Sequence, residues 1–569
     1  MQKVLYYLLI HTNRMFKKEL EKLLKLETGE DLILAIPPNS EMGDFALACF
    51  SLTKKLSKPP VEIAKDIAKK FEKPSFIQKI EVQGAYLNFF LNKEKFADKA
   101  IKKILSEKEY GCSFSGKNKN ALIEHTSINP NASPHVGRAR NAIIGDCLAR
   151  LLKFEKYKTE VHYFVNDIGK QIAMLVLACM RKSKVPTFDG LLKYYVGINE
   201  ELKLDPKIEE EVFVLLNLLE KGDEKIRKKF REVVEVCIKG QSKILADLGI
   251  NYDVFDYESD YLFNQQTSEI LIALNHSGKL YKDGENCHLL NLEGFNIPLK
   301  SPVLVLTRND GTSLYPLRDL AYTKYKMSEG SDKNIVVLGE DQKVYMQQII
   351  AGMKIMNLSS PQSIHYSFVL IKDVGKMSTR KGQVVLLEKF MEEASKKASK
   401  EIQKRRSDFS DSEIEKLSKI VGYGAVKFSF LKVSNDKNIT FDWESALSFE
   451  GDTGPYCQYT HARICSILAK EPASSGDYTV LIEPQEFALI KLLLNFPEIV
   501  KNSLDNLQPH LITNYLIELC RSFNEFYHSC PVLQANNDVK PARLVLIDCV
   551  RKVLSTGLYL IGVEAPEKM

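Results

Sequence analysis

The chain has 569 residues, enough for about three to five domains with several cores. Hydrophobic residues make up 44% and charged residues 27%, which excludes a mainly disordered, collagenous or coiled-coil chain. The formal net charge of +6 permits a nucleic-acid partner without arguing for one.

The 11 cysteines form no C-x-x-C pair and no zinc spacing, which points to reduced thiols, a cytoplasmic setting and no metal site. No run of about 18 apolar residues is present, so no membrane partner is expected. A short apolar run at residues 4–10 lacks a small-residue cleavage site, and Met15 opens the charged stretch that follows as an alternative start.

In chain order, apolar spacing predicts helices over 15–27 and 60–72, with Pro59 and Pro60 where a helix start tolerates proline. Residues 37–44 between them are a turn-rich loop, and 78–91 read as strand. Together they predict a small α/β domain over 1–110, followed by a polar linker. Strands are then expected at 121–126, 160–165, 303–306, 334–338 and 365–371, with helices at 135–154, 318–327 and 342–356. This alternation predicts an α/β fold, a doubly wound parallel sheet of the Rossmann type, over 120–390. A mainly helical insertion at about 180–300 interrupts it. Charged connecting helices are expected over 391–435, and an all-α bundle over 436–569.

Two segments carry chemistry. The first, Asn129-Pro130-Asn131-Ala132-Ser133-Pro134-His135-Val136-Gly137-Arg138, follows a predicted strand and opens a predicted helix. A helix N-terminus favours anions through its free N–H groups and dipole. Gly137 permits close backbone approach, and His135 can donate to a phosphate oxygen as charge builds. The second, Gly375-Lys376-Met377-Ser378-Thr379-Arg380-Lys381-Gly382, places three cations on a loop between glycines, which suits a triphosphate. Read singly, the first is a helix cap and the second a basic surface loop. The pair is far more specific.

That pair resembles the two signatures of the class I aminoacyl-tRNA synthetases, H-I-G-H and K-M-S-K-S. The wider pattern resembles the arginyl-tRNA synthetases over nearly the whole chain. It includes Ile143-Ile144-Gly145-Asp146, Asn166-Asp167-Ile168-Gly169-Lys170-Gln171, Tyr315-Pro316-Leu317-Arg318-Asp319, Gly339-Glu340-Asp341-Gln342, the stretch from Phe441 to Arg463, and the ending Glu564-Ala565-Pro566-Glu567-Lys568-Met569.

The resemblance implies an arginine–tRNA ligase: ATP and L-arginine give arginyl-adenylate, and the arginyl group passes to tRNA(Arg), with release of AMP and pyrophosphate. Mg2+ is implied as the ATP complex, and a monomer is expected. His135, Gly137, Arg138, Lys376, Met377, Ser378, Arg380 and Lys381 are implied as catalytic. Pro134, Gly339 and Asp341 join His135, Gly137, Arg138, Lys376 and Ser378 around ATP.

A guanidinium is planar, always charged and carries five donors, so its pocket needs carboxylates and neutral acceptors. Glu124, Glu258, Tyr315 and Asp319 supply such groups. By resemblance Tyr315 and Asp319 face the guanidinium, Glu258 adds a second carboxylate, and Asn129 and Gln342 hold the α-amino and carboxylate end. For tRNA, resemblance implies Gln83, Tyr86 and Asn88 at its elbow, and Tyr456, Tyr459, Arg463 and Met569 in an anticodon-binding bundle. Stacking on exposed aromatics suits unpaired bases. Phe523, Phe526 and Tyr527 are expected in the core.

The chain departs from the family pattern at four positions, with Arg138 for the second histidine, Thr379 for a lysine, Ile168 for a tryptophan and Tyr345 for a histidine. Arg138 and Thr379 motivate one alternative, a catalytically weakened synthetase-like protein that only binds tRNA.

Overall fold

A computed structural model describes residues 14–37, 39–131, 133–263, 265–372, 375–376 and 385–569. The apolar run at 4–10 therefore lies outside the described residues, as do Met377, Ser378, Thr379, Arg380 and Lys381.

Helices α1 (Arg14–Thr28), α2 (Pro60–Lys70) and α3 (Lys93–Ser106) share a core with strands β1 (Phe45–Ala48), β2 (Ile77–Gln83) and β3 (Tyr86–Leu91). These strands form an antiparallel sheet in the order β1-β3-β2. β1 escaped the sequence reading because only four residues, Phe45-Ala46-Leu47-Ala48, leave the turn-rich loop to pair with β3. This unit is anchored to the C-terminal helices: Tyr110 Oη donates to the Leu493 carbonyl at 2.9 Å, and Lys491 pairs with Asp44 at 2.6 Å.

The central sheet is parallel and five-stranded, in the order β11-β10-β4-β5-β6. Its strands are β4 (Asn120–Glu124), β5 (Lys158–Val165), β6 (Val254–Tyr257), β10 (Lys333–Gly339) and β11 (Gln362–Tyr366). Ala121, Leu122 and Ile123 are all buried, as expected where helices cover both faces. Helix α4 (Val136–Phe154) leads from β4 toward β5, and α5 (Lys170–Arg181) follows β5. The strand order reverses between β4 and β10, and a doubly wound sheet binds ligands at such a point, outside the strands' carboxyl ends.

Three strand expectations are corrected. Residues 303–306 hold β9 (Val303–Val305), but it pairs antiparallel with β8 (His288–Asn291), which pairs with β7 (Leu280–Lys282), outside the parallel sheet. A short apolar run carries no information about its partner. The region expected as a mainly helical insertion instead supplies β6, the edge strand of the parallel sheet. Its apolar pattern is broken by Asp256, which is buried because His162 Nδ1 (2.7 Å) and Tyr322 Oη (2.8 Å) bond its carboxylate. The strand expected at 365–371 is two strands. β11 ends at Tyr366, Ser367 bonds Glu340 and Asp436, and β12 (Val369–Ile371) joins a separate sheet with β13 (Gly375–Lys376) and β14 (Ile439–Phe441).

The insertion also contains helices α6 (Phe188–Leu204), α7 (Lys207–Glu220), α8 (Glu224–Asp247), α9 (Glu258–Phe263) and α10 (Gln266–His276). Beyond β9 come α11 (Tyr315–Ser328) and α12 (Lys343–Ile355). The charged stretch is α13 (Leu387–Arg405) and α14 (Asp411–Leu431); Lys400, Lys404 and Arg405 are exposed, while Leu387, Phe390, Ala394 and Ala398 are buried, as is Lys427 on α14. The remainder is helical: α15 (Gly454–Lys470), α16 (Pro484–Asp505), α17 (His510–Ser529) and α18 (Lys540–Leu560). Phe523 and Phe526 are in the core as expected, and Tyr527 is partly buried against it. All eleven cysteines are free, and among the described residues no helix is long and apolar enough to cross a membrane.

Candidate active site

A cavity of about 340 Å3 opens at the carboxyl ends of β4 and β10. Its lining includes Glu124, Asn129, Arg138, Glu258, Tyr315, Asp319, Gly339 and Gln342, so the six expected arginine-binding residues converge although they span more than 200 positions.

The floor is a set of carboxylates, with Glu124 and Glu258 buried and Asp319 partly buried. Glu124, the last residue of β4, is 5% exposed and pairs with Lys326. Glu258, at the start of α9, is 2% exposed, and its Oε1 accepts from Arg318 Nε at 2.8 Å. Its Oε2 is buried and has no hydrogen-bond partner among the described residues. Burial pushes the Glu258 carboxyl up to about 7, against the opposing pull of Arg318. Burial likewise raises Asp319 to about 6. Asp319 accepts from the Tyr345 hydroxyl and is the one carboxylate of the three with no ion pair among the described residues. Three carboxylates thus face two internal cations, and a buried, unsatisfied carboxylate oxygen calls for a cationic donor.

Tyr315, Asp319, Tyr322 and Lys326 lie along one face of α11. Tyr315 is 55% exposed at the rim, with its ring 5.3 Å from that of Tyr345. Lys326 escaped the sequence reading, although its helical spacing from Asp319 was a usable signal. Asn129 and Gln342 are exposed at the mouth, where Asn129 Nδ2 reaches Gln171 Oε1 at 3.4 Å and Gln342 Nε2 reaches Asp341 Oδ2 at 3.3 Å.

The turn leaving β4 is held in an unusual conformation. Thr126 has φ 78° and Ser127 φ 46°, a region that a β-branched residue rarely occupies. The turn is fixed by buried partners: Thr126 N donates to Asn141 Oδ1 at 2.6 Å, Thr126 Oγ1 lies 2.6 Å from Tyr252 Oη, and Ile128 N donates to Tyr163 Oη at 3.1 Å. None of these supports was identified from sequence, because each is polar in an otherwise apolar element. Gly145 lets α4 close on this turn; a Cβ there would lie 2.1 Å from the His125 ring.

His135 is the N-cap of α4, so the helix N-terminus opens toward the site. Burial and the neighbouring Arg138 hold its imidazole down to about 4, so it is neutral at pH 7. Its Nδ1 is buried without a hydrogen-bond partner among the described residues. The first signature segment bonds the chain just beyond the second: Val136 N donates to Val385 O at 3.0 Å, and Leu387 N to Pro134 O at 2.8 Å. Gly375 and Lys376 pair with β12 on the loop's other side. The chain that follows the cationic segment is therefore tied beside the α4 N-terminus, and the two residues that open the segment are tied to β12.

Among the expected tRNA contacts, Gln83 and Tyr86 flank the hairpin turn between β2 and β3 and are exposed. Asn88, expected as a base contact beside them, is instead 5% exposed, because it sits on the central strand β3, and its Nδ2 reaches Gln83 Oε1 at 3.4 Å. Tyr459 is 41% exposed on α15. Tyr456 is partly buried and accepts from Asn524 Nδ2 at 2.7 Å, Arg463 lies over the Tyr527 ring at 4.4 Å, and the Met569 carbonyl accepts from Arg406 at 2.8 Å.

The family model for the catalytic domain of class I tRNA synthetases (R) matches residues 100–443. The arginyl tRNA synthetase N-terminal domain matches 11–91, and the DALR anticodon binding domain 457–569. The arginine–tRNA ligase of Methanocella arvoryzae is 40% identical over 553 residues, covering 95% of this chain and 96% of that one. The arginine–tRNA ligase of Methanocaldococcus jannaschii is 37% identical over 560 residues, with coverage of 95% and 96%. The solved arginyl-tRNA synthetase of Thermus thermophilus superposes with a TM-score of 0.82 at 28% identity, covering 98% of this chain and 100% of that one. Such matches along the whole chain do not support the binding-only alternative. The chain belongs to the arginyl-tRNA synthetases of class I, the arginine–tRNA ligases.

Proposed function

We propose that the protein attaches L-arginine to tRNA(Arg) in two steps at the β4/β10 cleft. The observation that carries this reading is the cavity floor: among the described residues Asp319 has no ion pair and Glu258 Oε2 no hydrogen-bond partner, which favours a bound guanidinium. Asn129 and Gln342 at the mouth would hold the α-amino and carboxylate end.

In the first step the arginine carboxylate oxygen attacks the α-phosphorus of ATP, and the bond to the pyrophosphate oxygen breaks. In the second, a hydroxyl of the terminal tRNA ribose attacks the arginyl carbonyl and AMP leaves. Positioning and charge stabilisation do most of the work. Neutral His135 donates to a phosphate oxygen, the α4 N-terminus and Arg138 add positive potential, and Lys376, Arg380 and Lys381 serve the leaving pyrophosphate. Pro134, Gly137, Gly339, Asp341 and Ser378 line the nucleotide. Mg2+ is assigned to the substrate, as the Mg-ATP complex.

The same reading divides the chain into an elbow-binding domain (1–110), a catalytic domain (120–390), connecting helices (391–435) and an anticodon-binding bundle (436–569). Gln83 and Tyr86 touch the elbow, with Asn88 orienting Gln83. Tyr459 leads the anticodon contacts, with Tyr456, Arg463 and Met569 beside it. The protein acts as a cytoplasmic monomer.

The test is aminoacylation of total tRNA with each of the standard amino acids, with and without ATP. Charging by arginine alone, dependent on ATP, is expected. Charging by another amino acid, or none by arginine, refutes the reading.

A further inference from the structure

We propose that Tyr345 is a positioning residue for the amino-acid substrate: its hydroxyl fixes the plane of the Asp319 carboxylate, and its ring braces Tyr315, so that both groups meet the guanidinium preset. The proposal rests on reading the cavity as the arginine site.

Tyr345 stands 26 positions from Asp319, on α12 rather than α11, and only the packing of these helices brings them together. The hydroxyl donates to Asp319 Oδ2 and takes up one of its lone pairs. The remaining lone pairs, chiefly on Oδ1, stay available to a guanidinium, whose planar fork demands a carboxylate of defined plane. Without the hydroxyl this side chain could turn about its last bond, because among the described residues no lysine or arginine pins it as Lys326 pins Glu124 and Arg318 pins Glu258. The ring does a second job. Tyr315 is 55% exposed, and the Tyr345 ring packs beside it at 5.3 Å and 49°.

The charged and titratable groups around Asp319 are Glu124 on β4, Glu258 on α9, Arg318, Lys326 and Tyr315 on its own helix, and Tyr345 on α12. Burial and Glu124 raise the Asp319 carboxyl; Tyr345, Arg318 and Lys326 lower it, with Tyr345 the largest of these. Burial, and Asp319 beside it, push the phenol upward, so Tyr345 remains a donor throughout the neutral range. A histidine, the family's usual residue here, would change its donor capacity as it titrates.

The experiment is steady-state arginylation of tRNA by the full chain, wild type against Y345F and D319N. It measures kcat and the KM for arginine and for ATP between about pH 5 and pH 8. Thermal melting of each variant checks its fold. Loss of one hydrogen bond to a charged group should raise the arginine KM of Y345F roughly tenfold, leaving the ATP KM and kcat within about twofold. The acid limb of kcat/KM for arginine should move to higher pH, because Asp319 loses the bond that favours its ionised form. An unchanged arginine KM and acid limb in Y345F, alongside a raised KM in D319N, would overturn the role of Tyr345 and leave the arginine site standing. Equal rises in the arginine and ATP KM values would also overturn it, as a merely structural loss. An unchanged KM in D319N would remove the arginine site and this proposal with it.

Discussion

Replacing Asp319 by asparagine should make the protein more stable and less active at once. Burial raises the carboxyl from 3.8 to about 6, so the folded chain holds this proton more tightly than the unfolded chain. The sign follows: charging Asp319 costs nothing below about pH 4, and the cost grows until pH passes about 6. At pH 7.5 it amounts to about 3 kcal/mol, at about 1.4 kcal/mol for each pH unit of separation. Asparagine removes the charge and keeps an oxygen to accept from Tyr345. D319N should therefore melt at a higher temperature than wild type at pH 7.5, with the gain roughly halved at about pH 5. Its function moves the opposite way. Removing one partner of a buried charge pair costs about 2–5 kcal/mol, so the arginine KM should rise by about 30-fold to several thousand-fold with the ATP KM spared. The assays are thermal melts at both pH values and tRNA-dependent pyrophosphate exchange against arginine concentration. A lower melting temperature at pH 7.5, or an unchanged arginine KM, would refute the reasoning.

Three further outcomes are expected. K326M leaves Glu124 charged and alone in the cavity floor and should destabilise the protein by about 3–5 kcal/mol, with much of the loss recovered in the E124Q/K326M double variant; denaturant melts of both decide it. H135A should lower kcat about 100-fold by removing a donor to the transition state. Because His135 is held down to about 4, the wild-type kcat should show no titration of this group between about pH 5.5 and pH 8, and a pH profile of kcat checks it. Y86A, at an exposed hairpin position, should raise the tRNA KM several-fold while sparing the arginine KM, since a stacked base contributes about 1–3 kcal/mol.

Much of this molecule was legible in its residues. The helical periods of α4, α11 and α13 to α18, the apolar runs of β4, β5 and β10, and the two signature segments follow from local spacing and short-range chemistry. The arginine pocket was legible only through the family resemblance: Glu124, Glu258, Tyr315 and Asp319 have the donors' complement, but read singly Asp319 is a helix-cap carboxylate and Tyr315 a core tyrosine. Periodicity is a property of one element, however, and a pairing partner is a property of two. That is why β9, expected in the parallel sheet, pairs outside it, why β6 joins that sheet from a region expected to be mainly helical, and why β11 and β12 read as one strand across Ser367. The same limit governed the site. Which carboxylate is neutralised by Lys326, which by Arg318, and which is left to Tyr345 depends on side chains from β4, α9, α11 and α12 meeting in one low-dielectric space, where each charge's protonation is set by its neighbours. The residue types were decided locally; the assignment of charges among them exists only once the chain is folded.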